Sequence, residues 1–512
     1  MPMLDTDHDP VTFTRKPLDV LIAGSGCGGS LLAWILASQG MRVAMIDPQP
    51  HPRFAIGESS TPVADMILAD LAARYRLPKL APLAQYGTWC QVYPQLRRGR
   101  KRGFSYFFHA PGKAFQPSPS HTTELLVAAS SDDFHCDTHW YRADVDAFLA
   151  EAAVEAGAGC IAPATPRQCR YARDRWQVVV ETPAGDLAFR SRFLVDASAG
   201  RFGTRFLQAG DRTDLLLSRS GAVYTHLRNV RPWRALLENW GAHCQDHPFD
   251  CDAAALHHVF PGGWMWQLRF DHGVTSLGVA CESSPAALPG AGGCEKIRSF
   301  LAQYPSIAAQ CEQAQLVDPP GGWVIVERLQ RRAARATGTA WAALPSAFAF
   351  IDPLHSTGIA HTLSGVERLA RILLSTGTDS TQVEQLEQYE RQLVSEVALV
   401  DELVSAAYAN TGNFSRFIAA TMLYFTAAIQ YECRRKQGLQ EQAFLCADDP
   451  ELFHRLRAAC CYLRETASRS DANQRESIEN GWDRVRQWIE PYNTVGLLDR
   501  DMRNMYRHTV AR

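Results

Sequence analysis

Three glycines in the order Gly24-x-Gly26-x-x-Gly29 stand between an apolar run, Leu18 to Ala23, and a helical pattern carried by Leu31, Leu32, Ile35 and Leu36. A second apolar run, Val43 to Ile46, ends in Asp47. Strand, glycine turn, helix, strand and acid in this order meet the needs of a dinucleotide site. Gly24 permits the tight turn, Gly26 lets the backbone approach a pyrophosphate, and Gly29 lets helix pack on strand. The helix start offers unpaired N–H groups and a partial positive charge to the phosphates. Asp47 is placed to accept from a ribose hydroxyl.

Four other stretches have residue types that could do chemistry. Gly57-Glu58-Ser59-Ser60-Thr61-Pro62 is a polar turn suited to holding a ligand, and Pro62 fits the first turn of a helix with an apolar face of Val63, Met66, Ile67, Leu68 and Leu71. Lys101 lies in a basic run (Arg97, Arg98, Arg100, Lys101, Arg102) that meets the strand-like segment Gly103 to His109. A basic run is ordinarily a solvated face; Lys101 is singled out because it sits at the mouth of an aromatic strand. Alternation along Gly262 to Phe270 puts Trp264, Trp266 and Leu268 on one strand face, either as core or as the wall of a substrate cavity. The stretch Trp341 to Ile359 reads as strand, Pro/Ser/Thr/Gly loop and helix start, a place for an anion or a cofactor edge.

These stretches need elements to position them. Residues 1–17 read as a disordered lead-in. A nucleotide module is expected over 18–215, with a basic and aromatic insertion near 88–136 of which 110–136 reads as an excursion loop. Arg142 leads into a helix, Val145 to Ala156, and short strands over 159–196 end in Asp196-Ala-Ser-Ala-Gly200. A β-rich substrate-side region is expected over 216–330, a return to the nucleotide module over 331–380, and helices over 381–512, at 384–409, 414–434, 450–468 and 474–490.

Composition narrows the function classes. With 512 residues, 46% hydrophobic and 21% charged, the chain can bury more than one domain's core. A net charge of -2 makes no electrostatic case for nucleic acid or an anionic membrane surface. No apolar run reaches the roughly 18–20 residues that span a bilayer; Phe417 to Tyr431 comes nearest. The polar start, MPMLDTDHDP, is neither a signal nor a transit peptide, so a cytoplasmic protein is expected. The 14 cysteines include no CxxC pair and no Cys/His spacing that suits zinc, so reduced core cysteines and no metal are expected.

Taken together, the stretches from about 18 to about 430 resemble the flavin-dependent halogenases, within the flavin monooxygenase class. The resemblance implies an α/β fold: a Rossmann-type FAD-binding domain with an inserted β-rich substrate domain and a helical C-terminal region. GESSTP is similar to the family's flavin-contacting strap, which implicates Glu58 and Ser59. Arg142 resembles an arginine that approaches FAD, and Asp196 to Gly200 resembles the second FAD fingerprint. Ile351-Asp-Pro353-Leu-His-Ser-Thr357-Gly358-Ile359 resembles the loop holding flavin on one side and halide on the other. Pro353 and Ile359 then face FAD, and Thr357 with Gly358 binds halide. Lys101 stands where the family carries its catalytic lysine, and Trp264 and Trp266 match a motif that keeps substrate away from flavin.

The implied reaction uses reduced FAD, oxygen and chloride or bromide to make hypohalous acid, which Lys101 directs onto an electron-rich, phenolic aromatic, free or bound to a carrier. The branch acting on phenols has the most similar wording. With no second nucleotide-binding glycine unit, a separate flavin reductase is the expected partner. The family's WxWxIP motif ends here in Leu268-Arg269, its Gly-Asp pair is Pro345-Ser346, and His355 stands where enzymes acting on tryptophan place a glutamate. These departures leave two competing readings, an aromatic hydroxylase or epoxidase on the same fold and a flavin-binding protein without halogenase activity.

Overall fold

In the computed structural model, residues 13–14, 16–282, 293–375, 379–439, 442–467, 474–507 and 509 are described. Most of the expected lead-in lies outside these residues. The strand Leu18–Ala23 is flanked in parallel by Val43–Ile46 on one side and by Gly185–Asp196 on the other. Gly159–Ile161 and Trp341–Ala343 extend this parallel core outward, Thr337–Gly338 pairs antiparallel with Trp341–Ala343 at its edge, and the hairpin strands Thr165–Ala172 and Arg175–Thr182 complete an eight-stranded sheet. The strand Leu18–Ala23 is almost wholly buried, as expected of a parallel strand covered on both faces. The helices Cys27–Ser38, Arg142–Glu155 and Thr357–Leu374 lie against this unit, the first packing on both of the others.

A second, nine-stranded sheet carries the aromatic residues. Its central order is Gly221–Arg228, Val274–Cys281, Gly263–Arg269, Ala255–Phe260, Gly103–Phe108, Glu124–Ala128 and Met505–Tyr506. Glu124–Ala128 corrects the expectation of an excursion loop over 110–136. Five buried residues, Glu-Leu-Leu-Val-Ala, pair antiparallel with Gly103–Phe108. The flanking Ser and Pro residues mask a run too short to stand out by periodicity. Within the region 216–330 lie two short helices, Gly293–Leu301 and Pro305–Cys311, with Pro305 opening the second. The long helices Asp379–Tyr408, Phe414–Lys436, Pro450–Glu465 and Gln474–Ile489 follow within a few residues of their expected places. Phe414–Lys436 is almost fully buried over its first four turns, which explains its long apolar run without a membrane. Among the described residues no helix is long and apolar enough to cross one.

Candidate active site

The glycine turn is built by close approach. Gly24 holds φ at +115°, and a Cβ there would lie 2.5 Å from the Ala197 carbonyl oxygen. A Cβ on Gly29 would lie 2.1 Å from the Gly24 carbonyl oxygen, so only glycine lets the helix Cys27–Ser38 start this close to its strand. That helix begins at Gly26 with no side-chain cap, leaving its first N–H groups for a ligand. Asp47 stands beside the turn at the end of the second strand. Its carboxylate accepts from the Ser25 N–H at 2.8 Å and from Arg53 at 2.7 Å. A glycine turn with open helix-start N–H groups and an adjacent acid is thus present.

Arg142 stands beside the glycine turn, near Gly26, and braces the neighbouring strap. It is held by Asp146 through two bonds of 2.8 and 2.9 Å, and donates to the carbonyls of Ile56 and Gly57 at 2.9 Å. It therefore pins the Gly57–Pro62 strap to the nucleotide module. Asp196 is committed to its own turn, accepting from the N–H and hydroxyl of Ser198 and the N–H of Gly203.

One cavity gathers most of the remaining sequence candidates. Its walls include Glu58 and Ser59 from the strap, Trp264, Trp266 and Leu268 from the second sheet, and Pro353, Thr357, Gly358 and Ile359 from the loop and helix start. Ser356 adopts φ 53° to turn the chain into the helix Thr357–Leu374, which has no side-chain cap. Its first-turn N–H groups are open to an anion beside the Thr357 hydroxyl. The Ser356 and Ser59 hydroxyls lie 3.0 Å apart and tie loop to strap. Glu58 is buried against His226 at 2.7 Å. The loop is fixed from below by Asp352, which accepts from Ser220 at 2.8 Å and Tyr408 at 2.9 Å, while Trp264 Nε1 donates to the Tyr408 hydroxyl at 2.9 Å. Burial pushes the Asp352 carboxyl up to about 6. Of the departures in the tryptophan motif, Leu268 still lines the cavity. Arg269 bonds instead to Asp252 at 2.8 Å.

Lys101 does not line that cavity. It is fully buried beyond an aromatic layer, with its Nζ 2.5 Å from the Ser60 carbonyl oxygen, 3.5 Å from Asp137 and 4.1 Å from the centre of the Phe104 ring. Burial draws its pKa down against the opposing pull of Asp137 and Asp65, and pushes Asp137 up to about 6. Its basic neighbours pair near the surface, Arg100 and Arg102 both with Asp133.

The layer between cavity and lysine was not legible as a site. His257 lines the cavity, lies 5.1 Å from Trp264 and stacks on Tyr106 at 4.4 Å. His355 stacks on Tyr424 at 4.6 Å, and Phe104 lies 6.2 Å from both His257 and Tyr424. The Tyr106 hydroxyl, both nitrogens of His355 and His139 Nδ1 are buried without a hydrogen-bond partner. Buried polar atoms are normally paired, so four such atoms in one layer mark a place for small polar species. Beyond it, a small cavity lies among Pro62, Phe104, Ala129, Tyr424, Phe425 and Ala428. A larger one shares Pro62 and Ala129 and is lined by Asp65 and Asp137.

The tryptophan halogenase family model matches residues 228–417. The monodechloroaminopyrrolnitrin halogenase PrnC of Pseudomonas fluorescens is 30% identical over 441 residues, covering 84% of this chain and 74% of that protein. The tetracycline 7-halogenase of Kitasatospora aureofaciens is 28% identical over 437 residues, covering 83% and 76%. The crystal structure of halogenase PltM in complex with phloroglucinol and FAD has the same fold, with a TM-score of 0.82 at 23% identity, covering 95% of this chain and 99% of that one.

Proposed function

Because the chain belongs to the flavin-dependent halogenases, oxidoreductases that use FAD, we propose that it halogenates an electron-rich aromatic, a phenol or comparable ring, bound on the Lys101 side of the aromatic layer. FAD, reduced by a separate flavin reductase, supplies with oxygen and chloride or bromide an oxidised halogen equivalent, hypohalous acid. The glycine turn and the first N–H groups of the helix Cys27–Ser38 hold the pyrophosphate, with Asp47 beside the ribose. Arg142 holds the strap, Asp196 holds the second turn, and Glu58, Ser59, Pro353 and Ile359 border the flavin. Thr357 and the N–H of Gly358 hold the halide, the hydroxyl and amide serving as donors to an anion.

Trp264 and Trp266 wall the flavin cavity, so the organic substrate stays out. Hypohalous acid crosses the layer of Tyr106, His257 and His355, whose unpartnered polar atoms hydrogen-bond it in passage. Lys101 then donates a hydrogen bond to its oxygen, drawing electrons from the halogen. The ring carbon attacks the halogen, the oxygen–halogen bond breaks, and the ring proton balances the water that leaves. The placing of the substrate rests on a single observation: unpartnered buried polar atoms lie between the flavin cavity and Lys101. The phenol class has support from PltM, whose structure is a complex with phloroglucinol, and from His355 at a position where a weak base suffices for an activated ring.

The test supplies FAD, a flavin reductase with NADH, chloride or bromide and a panel of phenols, and reads products by mass spectrometry. The expected product carries a halogen isotope pattern. Hydroxylated product without halogen, or no turnover with FAD bound, overturns the proposal.

A further inference from the structure

A cluster outside the cavity of Trp264 and Thr357 is built like a metal centre. His121, Glu124 and His247 each bring a ligand atom to one point, all within 4.8 Å of one another, and all three side chains are buried. His121 Nε2 lies 3.2 Å from Asp246 Oδ2, while its Nδ1 lies 2.5 Å from Glu124 Oε1. A metal-binding histidine typically gives its other ring N–H to a carboxylate, which fixes the tautomer. With Asp246 accepting from Nε2–H, Nδ1 faces the Glu124 carboxylate at hydrogen-bonding distance, where either a shared proton or, after a shift of under about 1 Å, a bound cation can join the two. The third member has unmet valence. His247 Nε2 lies 3.3 Å from Glu124 Oε2, yet neither atom has a hydrogen-bond partner, and each is fully enclosed.

We infer that His121, Glu124 and His247 bind a zinc ion, with Asp246 orienting His121. Two imidazoles and a carboxylate suit zinc, with water in the fourth position. Asp246 also lines a surface cavity with Arg503, Met505 and Arg507, which gives the ion a way in. The linear spacing conceals the site, because His247 lies 123 residues beyond Glu124 in sequence. The expectation of no metal rests on linear spacing, and these three side chains meet only in the fold.

The site's position suggests what the ion does. The Asn504 side chain donates to the His121 carbonyl at 2.8 Å, and the strand Met505–Tyr506 pairs with Glu124–Ala128. Thr509, which bonds to the Ala128 carbonyl, lines the small cavity beside Phe104 and Tyr424. Zinc therefore ties the start of the strand Glu124–Ala128 to the turn at His247, against which the C-terminal segment packs, as a structural ion outside the halogenation chemistry.

The test measures zinc by elemental analysis of the FAD-loaded chain after dialysis against micromolar zinc, and its thermal unfolding with zinc and with chelator. One zinc per chain is expected, and chelation should lower the unfolding temperature by about 3–5 °C. Glu124→Gln and His247→Gln should keep flavin absorbance and lose the zinc. Cobalt in place of zinc should give a visible d–d band in the natural chain and none in the variants. The inference is overturned if the natural chain holds no zinc and unfolds at one temperature with and without chelator, which would assign the cluster to a protonated His121 between two acids. It is equally overturned if both variants bind as much zinc as the natural chain. Neither reading depends on halogenation, so failure of that activity leaves this test intact.

Discussion

Replacing Lys101 with methionine separates its chemistry from its structural role. The methionine fills similar volume but removes the cation 3.5 Å from Asp137 and the donor to the Ser60 carbonyl. At an effective dielectric of about 20, the lost attraction is about 5 kcal/mol before desolvation is counted. Asp137 does not have to bear that loss as an ion, because its carboxyl is already pushed up to about 6. Without the lysine that holds it down the carboxyl rises further and takes a proton near pH 7, and leaving the Ser60 carbonyl unpaired costs about 1–3 kcal/mol. Relief of the buried ammonium offsets part of this. The net loss is about 2 kcal/mol, which for a chain of this length lowers the unfolding temperature by about 2 °C. The variant should therefore fold, bind FAD and reoxidise it with oxygen, while halogenation falls by about 10³ or more, some 4 kcal/mol of transition-state stabilisation. Product is read by mass spectrometry, flavin reoxidation by absorbance, and escaped hypohalous acid by a soluble trap. Adding Asp137→Asn should recover the stability and none of the activity. Halogenation within tenfold of the natural chain, in a variant that folds, would refute the role of Lys101.

Gly29→Ala should cost flavin binding, since its Cβ would meet the Gly24 carbonyl oxygen at 2.1 Å and prise the helix start from the cradle; an unchanged ratio of flavin to protein absorbance would contradict this. Asp352→Asn tests the buried network under the loop. The Asp352 carboxyl is raised from 3.8 to about 6 in the folded chain, so it binds more protons folded than unfolded. Its contribution is complete below about pH 4 and is lost as pH rises through about 6, a change of about 3 kcal/mol. The asparagine variant should lose that part of the pH dependence of its unfolding temperature between about pH 4 and 7; identical profiles would show that Asp352 does not titrate there.

The glycine turn, the strap and the loop were legible in the sequence because they are local. A glycine turn, a strap ending in Pro62 and a loop opening a helix are each fixed by a few neighbouring residues whose backbone geometry depends on their type. The cavity wall at Trp264, Trp266 and Leu268 was equally legible, because strand alternation puts them on one face whatever packs above. The motif positions of Arg142 and Asp196 were readable, but their protein partners were not. Only packing shows Arg142 holding the strap and Asp196 holding its own turn.

The tertiary structure alone decided that Lys101 stands outside the cavity walled by Trp264 and Trp266, and what lies between. Tyr106, His257, His355 and Tyr424 come from two strands, a loop and a helix, and no spacing in the chain announces that their rings stack. The strand Glu124–Ala128 was hidden for a related reason: a short apolar run among turn formers gains its place from the partner strand Gly103–Phe108. The cluster of His121, Glu124 and His247 is the extreme case. Its ligands converge because a sheet strand and a distant turn pack together, an arrangement set by long-range burial rather than local pattern.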